Sequence, residues 1–480
     1  MLENAGWTDA GLIGALFHLV VAPATAVHAL LYKRDPRAAL GWVGLCLLLP
    51  LAGPLIYLIF GVNRIRRRAR RLGLPAGFVD FERGKPPRLD TGQDTVSDES
   101  TRRLARIGAR LSPHALVGGN RVSMFANGDE AYPAMLEAIE AARQSIRLAT
   151  YIFDTDQTGR RFIEALAAAH RRGVDVRVIV DGVGQWYHLP PAPRLLRRLG
   201  VPVAVFLPPS LLPPRLSVNL RLHHKILTVD GHTGFTGGMN IGDRHVLGAG
   251  DATRKAADLH FSLHGPVVGQ LEREFLRTWA FVHRRDEPLP EPETGVDGGL
   301  PARVLTDGPD EDLDAIVLLL QSMIAEARES VAIMTPYFLP PRELIGALQA
   351  AALRGLDVKV VLPRRNNLPF VHWATRNMLW ELLYYGVRVY YQPPPFSHAK
   401  LAAIDRHWAM IGSANWDARS LRLNFELQVE LFDRGFAGRI TDLIERAAGA
   451  GDPVSLEEVD GRSLPERLRD SICWLFSPYL

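Results

Sequence analysis

Leu222-His223-His224-Lys225-Ile226-Leu227-Thr228-Val229-Asp230, followed by Gly237-Gly238-Met239-Asn240, is the stretch on which the reading of this chain turns. It is written a second time as Ser397-His398-Ala399-Lys400-Leu401-Ala402-Ala403-Ile404-Asp405, followed by Gly412-Ser413-Ala414-Asn415. Both copies read H-x-K-x4-D-x6-G-[GS]-x-N with no change in spacing. Ile226 to Val229 and Leu401 to Ile404 are apolar and partly β-branched, so each copy is predicted to be a buried strand. Side chains alternate along a strand, which puts His223 and Lys225 on one face and His224, read as structural, on the other. His398 and Lys400 pair in the same way. Asp230-Gly231 reads as a hairpin turn, with Gly234 to Thr236 opening the return strand. Each hairpin therefore presents an imidazole and an ammonium side by side, with glycines and an amide close behind. That set suits phosphate: Lys neutralises charge, Asn240, Ser413 and Asn415 supply hydrogen bonds, and Gly lets the backbone approach. The candidate catalytic set is His223, Lys225, Asp230, His398, Lys400 and Asp405, although the strand-end position of the two aspartates favours a turn or anchoring role.

The two halves repeat beyond the motif. Ile139-Glu140-Ala141-Ala142-Arg143-Gln144-Ser145-Ile146 leads to Thr150-Tyr151-Ile152-Phe153, and Ile324-Ala325-Glu326-Ala327-Arg328-Glu329-Ser330-Val331 leads to Thr335-Pro336-Tyr337-Phe338. Helices alternating with strands imply two α/β domains with largely parallel sheets, packed face to face so that both motifs meet. The predicted division is a membrane anchor at 1–71, a linker ending in a basic helix at 72–117, a first domain at 118–285, a linker at 286–300 and a second domain at 301–480. Cys46 and Cys473 are far apart and imply no disulfide framework.

Two apolar segments, Ala10 to Tyr32 and Ala38 to Val62, each have about the length that crosses a bilayer core. Lys33-Arg34-Asp35-Pro36-Arg37 lies between them and Arg64-Ile65-Arg66-Arg67-Arg68-Ala69-Arg70-Arg71 follows. The dense arginine cluster places the catalytic part on the cytoplasmic side against anionic headgroups. A simple hairpin would put the two basic groups on opposite sides. A second segment that re-enters, interrupted by Pro50, Gly53 and Pro54, would put both inside, so spanning and re-entry both stay open. Near the C-terminus Leu464, Leu468, Ile472 and Leu475 form a helical stripe, read as packing against a core in preference to lying in an interface.

The doubled motif resembles the signature of the phospholipase D superfamily. Within it the chain is similar to bacterial cardiolipin synthases, through Leu58-Ile59-Phe60-Gly61-Val62-Asn63-Arg64, Gly119-Asn120, Tyr151-Ile152-Phe153 with Asp156, Gly237 to Asp243, Thr335 to Phe338, Leu421-Arg422-Leu423-Asn424-Phe425-Glu426 and the ending Ser477-Pro478-Tyr479-Leu480. The resemblance implies an enzyme of the bacterial cell membrane, with several membrane passes, that moves phosphatidyl from one phosphatidylglycerol to the terminal hydroxyl of another and releases glycerol. His223 would be the nucleophile, forming a phosphohistidine, and His398 the acid/base, an order open to reversal. Asp258 is assigned to orient His223 and Glu426 to orient His398. Neither cofactor nor metal is expected, and neither nucleic acid nor an obligate protein partner. The alternatives are a membrane-anchored phospholipase D with water as acceptor, and a phosphodiesterase or nuclease of the superfamily. Arg254-Lys255-Ala256-Ala257-Asp258 departs from the family pattern by lacking a tryptophan before the acidic residue.

Overall fold

The computed structural model describes residues 14, 16–33, 36–61, 99–211, 214–215, 220–248, 255–285, 287–290, 298–308 and 314–477. They belong to two compact units, one within residues 1–68 and 209–218, the other within 69–208 and 219–480. The Arg64–Arg71 cluster, Arg34-Asp35, Arg254, most of 286–300 and the final three residues lie outside the described residues.

The larger unit is built on one mixed sheet. Its first half supplies β1 (Val117–Ala126), β2 (Ser145–Thr150), β3 (Asp175–Asp181), β4 (Val203–Phe206), β5 (Ile226–Val229), β6 (Thr233–Gly237) and β7 (Leu259–His264). The second supplies β8 (Leu300–Asp307), β9 (Ser330–Met334), β10 (Asp357–Pro363), β11 (Arg388–Gln392), β12 (Leu401–Ile404), β13 (Trp408–Gly412), β14 (Glu426–Phe432) and the short edge strand β15 (Asp452–Pro453). Their order is β15-β11-β10-β9-β12-β13-β14-β8-β1-β7-β6-β5-β2-β3-β4. Each half runs in the same sequence outward from the central β1–β8 ladder, so the repeat in the sequence becomes a pseudo-two-fold in space.

Two expectations are corrected here. The sheet is not largely parallel: only β2-β3-β4 and β9-β10-β11 run parallel, and the motif hairpins are inserted antiparallel between them and the seam. The alternation of helices and parallel strands holds only up to β4 and β11; beyond them come the antiparallel hairpins β5–β6 and β12–β13, which need no crossover. Nor do the halves pack face to face. They join edge to edge through antiparallel β1 and β8, with a register break between Val117 and Asn120. Asn120 staples this seam, donating from Nδ2 to Val117 O (2.7 Å) and Leu300 O (2.9 Å) and accepting from Val267 N (2.9 Å). Gly119 beside it has φ 80°, a left-handed conformation that favours glycine.

Strand alternation covers both faces with helices. Ile146 and Leu148 of β2 enter the first half's core with Met135, Ile139, Phe162 and Leu166. Arg147, between them, points the other way and meets Glu272 of the helix Val267–His283 at 3.5 Å. The second half has its own core around Ile333, Val360, Leu348 and Leu379, which also takes Leu104 and Ala105. Those two residues come from the helix Glu99–Leu111, the basic helix read in the sequence. Its Ala105 carbonyl accepts from Arg303 Nη2 at 2.9 Å, and Arg303 pairs with Glu430 in full burial.

The C-terminal stripe is also corrected. In the helix Leu464–Leu475, Leu464, Leu468, Ile472 and Leu475 are exposed, by 49 to 76%. The opposite face docks on the helix Pro369–Leu383, through Ser471 to Asn377 (3.0 Å), Arg469 over the Trp373 ring (4.5 Å) and buried Asp470. A capping box at Ser463 and Glu466 starts that helix.

Among the described residues no helix is long and apolar enough to cross a membrane. In the smaller unit the helix Ala22–Tyr32 lies beside Pro36–Leu48. The second apolar segment is broken at 49–51 and resumes as Ala52–Ile56 and a π-helical turn, Tyr57–Gly61. Along a straight helix Tyr57 would sit roughly 22 Å beyond Trp42, yet their rings meet at 5.2 Å. The segment therefore folds back on itself. Gly53 permits this, because a Cβ there would strike the Leu45 carbonyl. Ala26, Ala29, Trp42, Cys46 and Tyr57 are buried inside the unit, while Leu19, Leu30, Leu31, Leu40 and Leu48 point outward.

Candidate active site

The two motif histidines meet at a cavity of about 1100 Å³ whose wall includes His223, His398, Asn240 and Asn415. Each histidine is placed by a backbone bond to the other half. His223 N donates to Phe425 O at 2.9 Å, and His398 N donates to Ala257 O at 2.7 Å. The residues that follow those carbonyls are Glu426 and Asp258, so the carboxylates are delivered crosswise. His223 Nδ1 lies 2.8 Å from Glu426 Oε2, and His398 Nδ1 lies 2.8 Å from Asp258 Oδ2. This corrects the assignment of Asp258 to His223 and Glu426 to His398 that the resemblance implied. An ionised carboxylate accepts, which places the proton on each Nδ1 and a lone pair on each Nε2; at His398 that lone pair also meets Lys400 Nζ, 3.1 Å away.

Both imidazoles are held far below the usual histidine range, first by burial and then by the lysines around them. Burial also brings Lys225 down to about 7 and Lys400 to about 8, and lifts Glu426 to about 7. Asp258 is raised as well, again by burial. The lysines are pinned to their own motifs: Lys225 Nζ donates to His223 O at 2.9 Å, and Lys400 Nζ to His398 O at 2.6 Å.

Asp230 and Asp405 leave the catalytic set. Asp230 sits at a left-handed turn (φ 53°) and accepts from the amides of Arg143, Gln144 and Ser145 at 2.7–2.9 Å. Asp405 (φ 50°) does the same for Arg328, Glu329 and Ser330, each at 2.8 Å. They tie the far end of the motif strand to the start of β2 and β9. Ser413 is corrected too: fully buried, its hydroxyl donates to Glu426 Oε2 at 2.6 Å and faces the carboxylate, not the cavity. Asn240 accepts from Ile152 N through Oδ1 (3.1 Å), and Asn415 donates to Ser420 Oγ (3.0 Å). His224 is buried with neither ring nitrogen hydrogen-bonded among the described residues, and burial brings it down to about 4.

Three features escaped the sequence reading. Tyr151 and Tyr337 stand edge-on to His223 and His398, with ring centroids 5.4 and 6.2 Å apart. Each is preceded by a threonine, Thr150 or Thr335, whose hydroxyl closes the turn onto a carbonyl at 3.1 Å. Arg244 and Arg419 both line the cavity, each four residues past its motif asparagine. That shared spacing was a signal available in the sequence. Among the described residues no three His, Cys, Asp or Glu side chains are grouped as a metal site requires.

Two family models match. One, described as cardiolipin synthase, PLD-like domain, covers residues 135–279 and 320–448. The other, phospholipase D-nuclease N-terminal, covers residues 20–61. The chain is 31% identical over 458 residues to the major cardiolipin synthase ClsA of Bacillus subtilis, spanning 93% of this chain and 95% of that one. It is 32% identical over 466 residues to cardiolipin synthase A of Pseudomonas aeruginosa, spanning 95% and 93%. In fold it is similar to the crystal structure of phosphatidylserine synthase from Haemophilus influenzae, with TM-score 0.61, 13% identity and coverage of 79% of this chain and all of the other.

Proposed function

The chain belongs to the cardiolipin synthase family of phospholipase D-like proteins, and on that premise we propose that it transfers phosphatidyl from one phosphatidylglycerol to the terminal hydroxyl of a second, releasing glycerol. The observation that carries the reading is the pair of imidazoles at one cavity, each gripped at Nδ1 by a buried carboxylate. A phosphodiester is a poor electrophile with a poor leaving group, and two histidines divide the difficulty into two steps.

His223 Nε2 forms the N–P bond while the P–O bond to glycerol breaks, and His398 gives its Nε2 proton to the departing alkoxide. The second lipid's hydroxyl then returns a proton to His398 as its oxygen forms a new P–O bond and the P–N bond breaks. One diester replaces another, so no nucleotide is consumed. Both imidazoles are neutral in the free site, which suits the nucleophile. The acid acquires its proton when an anionic phosphodiester offsets the charge of Lys225 and Lys400. Those lysines, with Asn240 and Asn415, stabilise the equatorial oxygens.

For this role the chain is best divided as sequence suggested: anchor 1–71, linker 72–117, repeats 118–285 and 301–480, joined at 286–300. The outward-facing leucines of the first unit and its match to the N-terminal family model support attachment to the bacterial cell membrane. The fold-back at 49–51 supports a re-entrant second segment, with the N-terminus outside and both basic groups, with the catalytic part, in the cytoplasm. Cysteines engineered near the N-terminus that fail to react with an impermeant reagent in intact cells would remove re-entry.

Lipid mass spectrometry on purified protein in phosphatidylglycerol vesicles with a chelator tests the reaction. Cardiolipin and glycerol from the wild type, and neither from His223→Ala or His398→Ala, is the expected result. Phosphatidic acid in place of cardiolipin would make it a hydrolase.

A further inference from the structure

The proposed transfer brings two phosphates into one cavity, and the catalytic lysines serve only one of them. The acceptor lipid carries its own phosphodiester, one glycerol bridge away from the hydroxyl that reacts. A monoanion in a cavity walled by Asp154, Asp156, Asp243 and Asp417 needs a cation of its own.

Most of the remaining wall cations are committed. Arg221 pairs with buried Asp181 at 3.2 Å. Arg244 holds Asp154 at 2.7 Å and lies over the Tyr187 ring. Lys255 Nζ donates to Asp243 O at 2.8 Å. Arg365 differs: it is exposed on the cavity wall, with no hydrogen bond or ion pair to any described residue.

The loop around Arg365 is arranged for an anion. It leaves the carboxyl end of β10 and enters the helix Pro369–Leu383; Leu368, which precedes the helix, and Phe370 and Val371 of its first turn also line the cavity. A helix start carries partial positive charge. Pro369 has no N–H, and the Leu368 and Val371 amides are bonded to Asn366 Oδ1 and Leu368 O, so Phe370 N is the first-turn amide that faces a ligand here. Asn366 fixes the loop, accepting from Leu368 N and donating to Pro336 O, both at 2.8 Å. Asn367 receives the Tyr337 hydroxyl on Oδ1 at 2.7 Å, which leaves its NH2 group as a further donor. The equivalent loop after β3 carries Val183, Gly184 and Gln185, with no cation. The cavity is therefore one-sided.

We propose that Arg365, with Asn367 and the start of the helix Pro369–Leu383, binds the phosphate of the acceptor lipid and so delivers its terminal hydroxyl to His398. The inference rests on the transfer reaction above and deepens it. Tyr337 links the loop to His398, standing edge-on to that ring while its hydroxyl bonds Asn367. The acceptor thus arrives on the His398 side, which makes His398 the acid/base and leaves His223 as the nucleophile. Arg365 is a positioning residue, touching the acceptor away from the reacting atoms.

Glycerol provides the separating experiment, because it enters the acceptor position with no phosphate. Full-length protein in phosphatidylglycerol vesicles is given labelled glycerol, and labelled phosphatidylglycerol is measured beside cardiolipin. For Arg365→Gln the ratio of cardiolipin to exchange product is expected to fall about 10-fold or more, the scale of a lost charge-assisted contact. Arg365→Lys should restore most of that ratio. An unchanged ratio, or a fall in both products together, overturns the subsite. Wild-type protein that exchanges glycerol yet makes no cardiolipin overturns the transfer reading itself, and the subsite with it. Inorganic phosphate distinguishes the two sources of the anion: if it raises the melting temperature of wild type but not of Arg365→Gln while the product ratio is the same in both, the loop binds free phosphate and the proposal fails.

Discussion

The two half-sites share a plan and differ in how their carboxylates are held. Glu426, which serves His223, receives the Ser413 hydroxyl at 2.6 Å and Asn424 Nδ2 at 3.2 Å. Asp258, which serves His398, receives among the described residues only the Leu259 amide at 2.8 Å beyond its histidine, and Gly238 stands where Ser413 stands in the other half. That glycine is obligatory, because a Cβ there would run into Asp258 Oδ1. The difference teaches that a duplicated motif need not have a duplicated environment. One carboxylate is gripped by hydroxyl and amide, which fits the role proposed for His223, an imidazole that holds one tautomer and attacks. The other is gripped less, which fits the role proposed for His398, an imidazole that gains and loses a proton every cycle.

The sharpest way to break this comparison is to remove each imidazole. His223→Ala and His398→Ala should each lower cardiolipin formation by about 10⁴-fold. With a nitrophenyl phosphodiester lipid, whose leaving group needs no acid, His398→Ala should still release one equivalent of nitrophenolate in a burst. His223→Ala should release none. A burst from His223→Ala alone would reverse the roles.

The carboxylates come next, at about 10²- to 10⁴-fold. Glu426→Gln should slow the burst itself, whereas Asp258→Asn should leave the burst and slow turnover. Pairing within each half would give the opposite result. Gly238→Ala should destabilise the fold by about 1–3 kcal/mol through overpacking, read by chemical denaturation in detergent. Ser413→Ala should lower the burst rate by about 10-fold, the loss of one charge-assisted hydrogen bond.

The smallest effect is a pH dependence. A lysine aids phosphate only while protonated, and its charge is lost as pH rises through its pKa. With Lys225 at about 7 and Lys400 at about 8, kcat/KM should fall across that interval. Lys225→Arg should move the fall upward by about one unit, because guanidinium stays charged. A flat profile between pH 7 and 9 would mean that the free site holds its lysines protonated.

Much of this was legible because the chemistry is written locally. His223, Lys225 and Asn240 sit within one hairpin, and its spacing is repeated at His398, Lys400 and Asn415. The turn role of Asp230 was legible from its place at a strand end. What was not legible depends on contacts that sequence distance conceals. Glu426 reaches His223 across 203 residues and Asp258 reaches His398 across 140, although each lies much nearer to the wrong histidine. Ser413 looked like a phosphate ligand because motif position does not say which way a hydroxyl turns. The seam through Asn120 was invisible because an edge-to-edge joint carries no hydrophobic face for periodicity to register. The exposed stripe on Leu464–Leu475 has the same spacing as a buried one, and only the neighbouring helix decides which face is covered.

The exchange of carboxylates between halves has a consequence for the life of the molecule on the ribosome. When His223 and Asp258 have both been synthesised, they are not partners, and the glutamate that turns His223 toward substrate lies far downstream. Competence therefore arrives all at once, with the closing of the seam, and not by halves. A truncated or misassembled chain seated in a bilayer would hold an imidazole without its grip, and the surrounding lipid would go uncut.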